Sequence, residues 1–491
     1  MFLAFIFGLL FAISLVTFLT GRYSSRFAMA GSILILVLVA GYLLEVMQGY
    51  SGGITGKYSY PLNAEYQIFF SVGINGFTGP LLLAAAIVFP LSIYISLKEK
   101  YDGKFYGLMM LAETGLFGVL ISRDMILFYI FWEFVLVPVF FLILMYGGEG
   151  RNSVALKFFV YTHIGSALIL LAIFSLYAYY FSVYGIYTMQ MSALTQPSFV
   201  SQIPLFWELF IVAGLMIGFL VKLPVFPFHA WLPDSYDVAP YPVTVAIAGG
   251  LSLMGGYGLF GIMLGLKSLF PALVLWILVG ISIVSLIYFA LTAMFQTSIK
   301  RMMAYASAGS MGFVLLAFAA GIMEESGVDY NLVLSGGMFQ ILAHAIIISL
   351  LFVSIFFIKL KTGTDTLGGL GGIYREAPVL STIMLGGLLA SLGLPGLAGF
   401  IGEFSILGGS FQAIGYLIFF VIFSMIITAS YHIWMAQRTL YGPYNEHLGG
   451  IRDLSRPEMA VLGAVLILIL VLGVFPSPLF SLFSSYAGGI I

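Results

Sequence analysis

Val221-Lys222-Leu223-Pro224-Val225-Phe226-Pro227 sets one lysine and two prolines at the end of an apolar run that begins near Phe206. Proline lacks an amide donor and breaks the helical ladder. A helix broken at membrane depth leaves backbone groups without partners, which is tolerable only inside protein or beside a wet cavity. A second break, Gly393-Leu394-Pro395-Gly396-Leu397-Ala398-Gly399, lies five apolar runs further along the chain. Paired interruptions in corresponding positions of two halves point to an ion site in an inverted-repeat transporter. Proline also simply kinks packed helices, but each break has a lone ionisable residue within one or two turns, Lys222 at the first and Glu403 at the second.

Composition supports a membrane interior around both breaks. Of 491 residues 61% are hydrophobic and 8% charged, whereas soluble domains carry roughly a quarter of their residues as Asp, Glu, Lys or Arg. With no cysteine and five scattered histidines, the chain offers no disulfide, thiolate cluster or zinc-spaced pair. Redox chemistry therefore belongs to partners. A net charge of −1 lacks the basic stripe of a nucleic-acid binder. Met1 to Thr20 has no basic segment before its apolar stretch and reads as a first span, not a removed signal.

A spanning helix needs about 20 apolar residues, and fourteen such runs fall near 2–20, 28–47, 77–97, 105–122, 125–146, 154–183, 206–226, 241–264, 270–294, 302–322, 332–358, 378–410, 412–435 and 458–484. The run 378–410 is too long for one straight crossing and reads as broken and re-entrant. Placing the N-terminus outside puts fifteen of the nineteen Lys and Arg residues in or beside cytoplasmic connections, with only Lys57, Arg123 and Lys267 outside and Lys222 within the membrane. That asymmetry is expected of retained positive charge, and it predicts both termini outside. No connection reads as a soluble domain.

Charge at the bilayer centre costs a few kcal/mol or more, so an isolated ionisable residue there is a functional candidate. Glu133, in Phe131-Trp132-Glu133-Phe134, has no charge within eight residues on either side. Lys222 is its natural partner, and a buried pair of this kind serves better as a switch than as a stabiliser. Glu113 is a second carboxylate on the preceding run, and His344 has the donor and acceptor nitrogens of a proton relay. Interhelical packing is the plainer role for both. His163 and His229 lie nearer a predicted edge, where packing is favoured. Asp124, Asp234, Asp237 and Glu324-Glu325 fall at predicted helix ends, where capping or solvation is the default.

At these residues the chain resembles the antiporter-like subunits of respiratory complex I, Mrp-type cation/proton antiporters, membrane-bound hydrogenases and F420H2 dehydrogenase. The matching segments are Phe131-Trp132-Glu133, Val221 to Asp234, Ala239-Pro240, Ile299-Lys300-Arg301-Met302-Met303-Ala304-Tyr305 and Gly399-Phe400-Ile401-Gly402-Glu403-Phe404. The context of Glu403 and the lack of a long C-terminal lateral helix look most like the M-type (subunit 4) chain. The resemblance implies an all-α polytopic fold with two inverted five-helix repeats, residues 105–264 and 265–435, preceded by three helices in 1–104 and followed by a last helix in 436–491. It also implies broken seventh and twelfth helices. Glu133 then matches a switching glutamate, Lys222 its lysine partner, Glu113 a carboxylate facing the neighbouring subunit, His344 a connecting histidine and Glu403 the terminal proton donor. Lys157, His229, Asp234, Ser252 and Ser310 stand as further candidates along the route.

Three positions depart from the family's pattern. Leu253 replaces the usual central lysine of the eighth helix, Ser310 the usual histidine of the tenth, and Ser235-Tyr236 stands where Ala-His is usual. A proton route must cross a core of about 30 Å, and without its middle titratable group only water and Ser252, Thr244 or Ser310 remain to carry charge. Three functions stay open: a proton channel bridged by water, a sodium-linked variant, and a subunit that docks or relays without pumping. The resemblance implies partner membrane subunits, a peripheral arm that holds any flavin and iron–sulfur clusters, no cofactor or metal in this chain, and a bacterial or archaeal cytoplasmic membrane.

Overall fold

The computed structural model describes residues 1–49, 53–323 and 328–490; Glu324-Glu325 lies outside them. Among the described residues thirteen helical runs are long and apolar enough to cross a membrane, and dividing the longest, Ala398–Tyr441, near Gly415 groups the helices into fourteen consecutive spans. The first six are Phe2–Leu19, Ser24–Gly49, Thr78–Ser96, Gly103–Ile121, Met125–Tyr146 and Arg151–Tyr184. The seventh is broken into Leu205–Lys222 and Leu232–Val238. The eighth to eleventh are Tyr241–Leu269, Ala272–Met294, Ile299–Gly321 and Tyr330–Thr362. The twelfth is broken into Pro378–Ser391 and Ala398–Ile414, and Ile418–Ala436 and Arg456–Val474 complete the set.

Both breaks are stabilised as a lipid-shielded backbone must be. In the first, the Phe226 amide donates to Ser285 Oγ of the ninth span at 3.0 Å, and Trp231 Nε1 donates to the freed carbonyl of Val221 at 2.9 Å. In the second, Gly393 and Gly396 take φ of +76° and +92°, conformations that cost an L-residue with a side chain about 1–2 kcal/mol. The two long helices, of 34 and 33 residues, directly precede the two broken ones. Residues 333–358 of the eleventh span are wholly enclosed and the eighth span is nearly so, while the first, ninth and thirteenth turn most of their surface outward.

Three features differ from the sequence reading. Residues 55–74 form an antiparallel hairpin, Thr55–Asn63 with Ile68–Ile74, as a short connection within the expected helical membrane fold. Searching for long apolar runs passes over such short strands. The hairpin covers the junction of the fourth and fifth spans, where the Arg123 amide donates to the Ser71 carbonyl at 2.8 Å. The eighth span carries two stretches of π-helix, Ala246–Leu251 and Gly258–Ile262, a distortion frequent at functional sites. Finally, the predicted last span ends at Val474, because Pro476 starts a separate helix, Ser477–Gly488.

Candidate functional site

Glu133 projects from the middle of the fifth span, and its Oε2 lies 3.0 Å from His163 Nδ1 on the sixth. Its other oxygen, Oε1, is buried and has no hydrogen-bond partner. Lys222 ends the first half of the broken seventh span. Its Nζ is buried without a hydrogen-bond partner and sits 5.9 Å from the Trp132 ring and 5.7 Å from the Phe158 ring. The expected Glu133–Lys222 contact is therefore open. Glu133 bonds instead to a histidine whose side chain is about half exposed at the chain's surface, and the ammonium sits in an aromatic pocket beside the Trp132 and Phe158 rings.

Below the break, the short helix Leu232–Val238 is pinned on two sides. Asp234 bonds Lys157 of the sixth span at 2.7 Å and Arg301 of the tenth at 3.0 Å, and Arg301 also lies 3.5 Å from Asp237. Lys300 is buried and donates to the carbonyls of Asp237 at 3.0 Å and Ala239 at 2.6 Å, with its ammonium 4.3 Å from the Tyr241 ring. It closes one side of a cleft of about 520 Å³ that Glu99, Asp237, Tyr241 and Lys359 also line. In the loop beside it, burial disfavours ionisation of Asp365. The Tyr241 hydroxyl at 2.6 Å and the Lys359 ammonium at 3.1 Å outweigh that and hold its carboxyl below the ordinary range.

In the second half His344, on the enclosed eleventh span, has its Nε2 3.1 Å from Ser307 Oγ of the tenth. One turn earlier on the same face, Gln340 lies so close to Gly402 that a Cβ there would fall 2.4 Å from its Oε1. The adjacent Glu403 is buried, and its Oε2 occupies the notch left by Gly393, where a Cβ would come within 2.3 Å. The thirteenth span adds Tyr431 and His432, both buried. His432 Nδ1 is 2.8 Å from the Thr428 carbonyl, which can only accept, so Nδ1 carries the proton and Nε2 accepts from Ser391 Oγ at 3.2 Å. Sequence reading passed over this histidine, although it stands alone in an apolar run as His344 does.

Residues 122–428 match the family described as NADH:quinone oxidoreductase/Mrp antiporter, TM. The chain belongs to that family. It is 38% identical over 427 residues to F(420)H(2) dehydrogenase subunit M of Methanosarcina mazei, covering 86% of this chain and 84% of the relative. It is 32% identical over 417 residues to NADH-quinone oxidoreductase subunit M of Rickettsia felis, covering 84% and 81%. Among solved structures, a chain of respiratory complex I from Thermus thermophilus with bound NADH superposes with a TM-score of 0.88 over all of both chains at 25% identity. The protein is thus a multi-pass membrane subunit of the complex I-like or Mrp-like ion-translocating type.

Within this antiporter-like subunit several expected roles meet a different geometry. Glu113 does not reach the chain's surface. It is fully buried, and Ser32 of the second span donates to both its oxygens at 3.2 and 3.1 Å, because a lone carboxylate in lipid needs a donor from its own chain. Ser252, Thr244 and Ser310 each donate to a backbone carbonyl of their own helix or the adjoining turn. Leu253 is fully buried. His229 stacks among Phe226, Tyr288 and Phe289 with its Nδ1 unpartnered. Asp124 caps the fifth span through the Ile126 and Leu127 amides, and burial, against those amides and that of Phe69, pushes its carboxyl up to about 6. Among the described residues no three His, Asp or Glu side chains converge to hold a metal ion.

Proposed function

We propose that this chain translocates protons through two linked half-channels, one using Glu133 and Lys222 and the other His344 and Glu403, as one subunit of a redox-driven complex. The observation that carries this reading is the buried ammonium of Lys222 with no hydrogen-bond partner, beside a glutamate that has turned to another residue. A buried charge deprived of its partner is strongly destabilising, so the site favours loss of the proton whenever the pair is apart. Glu133 moving between His163 and Lys222 then alternates the lysine between holding and releasing a proton. The released proton passes toward His344 and Glu403.

In this reading the connections carrying Lys98, Arg151, Lys300 and Lys359 face the cytoplasm, and both termini lie outside. The repeats are residues 105–264 and 265–435. The partners are other antiporter-like and small membrane subunits together with a peripheral arm that holds the redox cofactors. Glu113, enclosed with Ser32, acts on a neighbouring subunit through the second span.

The test is proton movement per electron in vesicles bearing the intact complex with Lys222→Ala or Glu403→Gln. Both substitutions are expected to lower the ratio. Unchanged ratios in both would remove the proposal, and transport that requires sodium would replace the proton by that ion. Leu253, buried where the family pattern has lysine, favours a second reading, a docking or relay subunit without transport. Leu253→Lys separates the two: a rise in coupled transport supports a channel, and no change with intact assembly supports the docking role.

A further inference from the structure

Of the nineteen Lys and Arg residues, the three that depart from the charge asymmetry are Lys57, Arg123 and Lys267, far apart in the chain. All three line one cavity of about 400 Å³. It lies at the end of the fold opposite the cleft of Asp237 and Lys300: Met125, which opens the fifth span, lines this cavity, and Tyr146, which closes that span, lines the cleft. Among the described residues no Asp or Glu lines the cavity. Positive charge thus converges there from the hairpin, from the junction of the fourth and fifth spans and from the end of the eighth.

Arg123 is the buried member of the trio, only 6% exposed. Its backbone is held on both sides, the amide donating to the Ser71 carbonyl at 2.8 Å and the carbonyl accepting from the Met191 amide at 3.0 Å. Its side-chain partners are neutral: Nη2 donates to Thr78 Oγ1 at 2.8 Å and Nη1 to the Tyr257 hydroxyl at 3.4 Å, while Nε is buried without a partner. Asp124, next in the chain, accepts instead from the amides of Phe69, Ile126 and Leu127. A buried guanidinium with neutral partners and an unused donor is destabilising until an anion completes it. The walls around it are closely fitted, since a Cβ on Gly265 of the eighth span would fall 2.8 Å from the Cβ of Thr195.

We propose that Lys57, Arg123 and Lys267 bind a phosphate group, carried by an anionic lipid headgroup or free in solution. A guanidinium presents planar donors that match phosphate oxygens, and the two ammonium groups add point charges. The cavity lies at the ends of the spans, just beyond an apolar core of about 30 Å, which is the level of lipid phosphates, and basic pockets between membrane helices suit such headgroups. Met125, Met191, Ile262 and Leu264 also line it; these apolar contacts fit the glycerol and first acyl carbons of a lipid. A phosphate seated there joins the hairpin to Arg123 and, through Tyr257, to the eighth span just before its second π-helical stretch. The inference rests on the chain's membrane placement and not on proton transfer.

The experiment follows the thermal unfolding midpoint of the purified, lipid-stripped complex against added dioctanoyl phosphatidylglycerol, dioctanoyl phosphatidylcholine or inorganic phosphate. A ligand that binds the folded state raises the midpoint as its concentration passes the dissociation constant. The expected result is a rise with phosphatidylglycerol for which Lys57→Gln needs about tenfold more lipid and which Arg123→Gln lacks. Lys57 is exposed on the hairpin, so its variant decides the matter even where Arg123→Gln does not assemble. A rise with phosphatidylglycerol alone assigns the site to lipid, and one with inorganic phosphate at equal or lower concentration assigns it to the free ion. The proposal is overturned by no rise with either, by the same rise in the parent and in Lys57→Gln, or by phosphatidylcholine acting as phosphatidylglycerol does. A carboxylate of a neighbouring subunit seated on Arg123 in a structure of the complex also overturns it.

Discussion

Gly393→Ala disturbs the buried Glu403 without changing it. Two effects combine at this position. The backbone sits at φ +76°, which costs an L-residue about 1–2 kcal/mol, and the new methyl would fall 2.3 Å from Glu403 Oε2. The carboxylate must swing aside, and leaving its rotamer costs a further ~1 kcal/mol. Gly396→Ala supplies the control: its φ is +92° and nothing lies within 4 Å of the added carbon. Both variants should lower the thermal unfolding midpoint of the purified complex, with Gly393→Ala the lower. Only Gly393→Ala should reduce protons moved per electron in vesicles. If the two variants lose transport equally, backbone strain and not the position of Glu403 governs the second half-channel, and the reasoning fails.

Three other outcomes are expected. His163→Phe removes the 3.0 Å partner of Glu133, and a structure of that variant should show the carboxylate within 4 Å of Lys222 Nζ; a carboxylate that keeps its present direction would refute the switch. Ser285→Ala leaves the Phe226 amide of the first break without its acceptor, a loss of about 1–3 kcal/mol to be read from thermal unfolding, and an unchanged midpoint would show that the amide finds another partner. Asp365, whose carboxyl is held below its ordinary 3.8, stabilises the fold above that value and ceases to do so as pH falls through its lowered one. Asp365→Asn should therefore be less stable than the parent at neutral pH, and the difference should shrink below about pH 4 in a thermal unfolding series.

How much was legible in the sequence depends on the range over which each feature is determined. Lys222 and Glu403 were identifiable because their residues and the prolines and glycines beside them are close neighbours in the chain. Burial in lipid makes any lone charge conspicuous. Their partners were not identifiable. Glu133 was expected on Lys222 and lies on His163, and Glu113 was expected at a surface and is enclosed with Ser32. Ser310 stood out in the sequence by its departure from the family pattern, yet Ser307, one turn earlier, is the hydroxyl that meets His344.

The order and number of spans, the two breaks and the polar residues stationed beside them were determined by the linear sequence, because helix formation in lipid is a local matter of apolar length and missing backbone donors. The rotation of each helix about its axis decided the rest. A few tens of degrees choose between Ser307 and Ser310, between His163 and Lys222 as the partner of Glu133, and between an open and a covered Glu113. Those angles come from side-chain packing between helices far apart in the chain, where glycines such as Gly402 and Gly393 admit a neighbour that any larger residue would exclude.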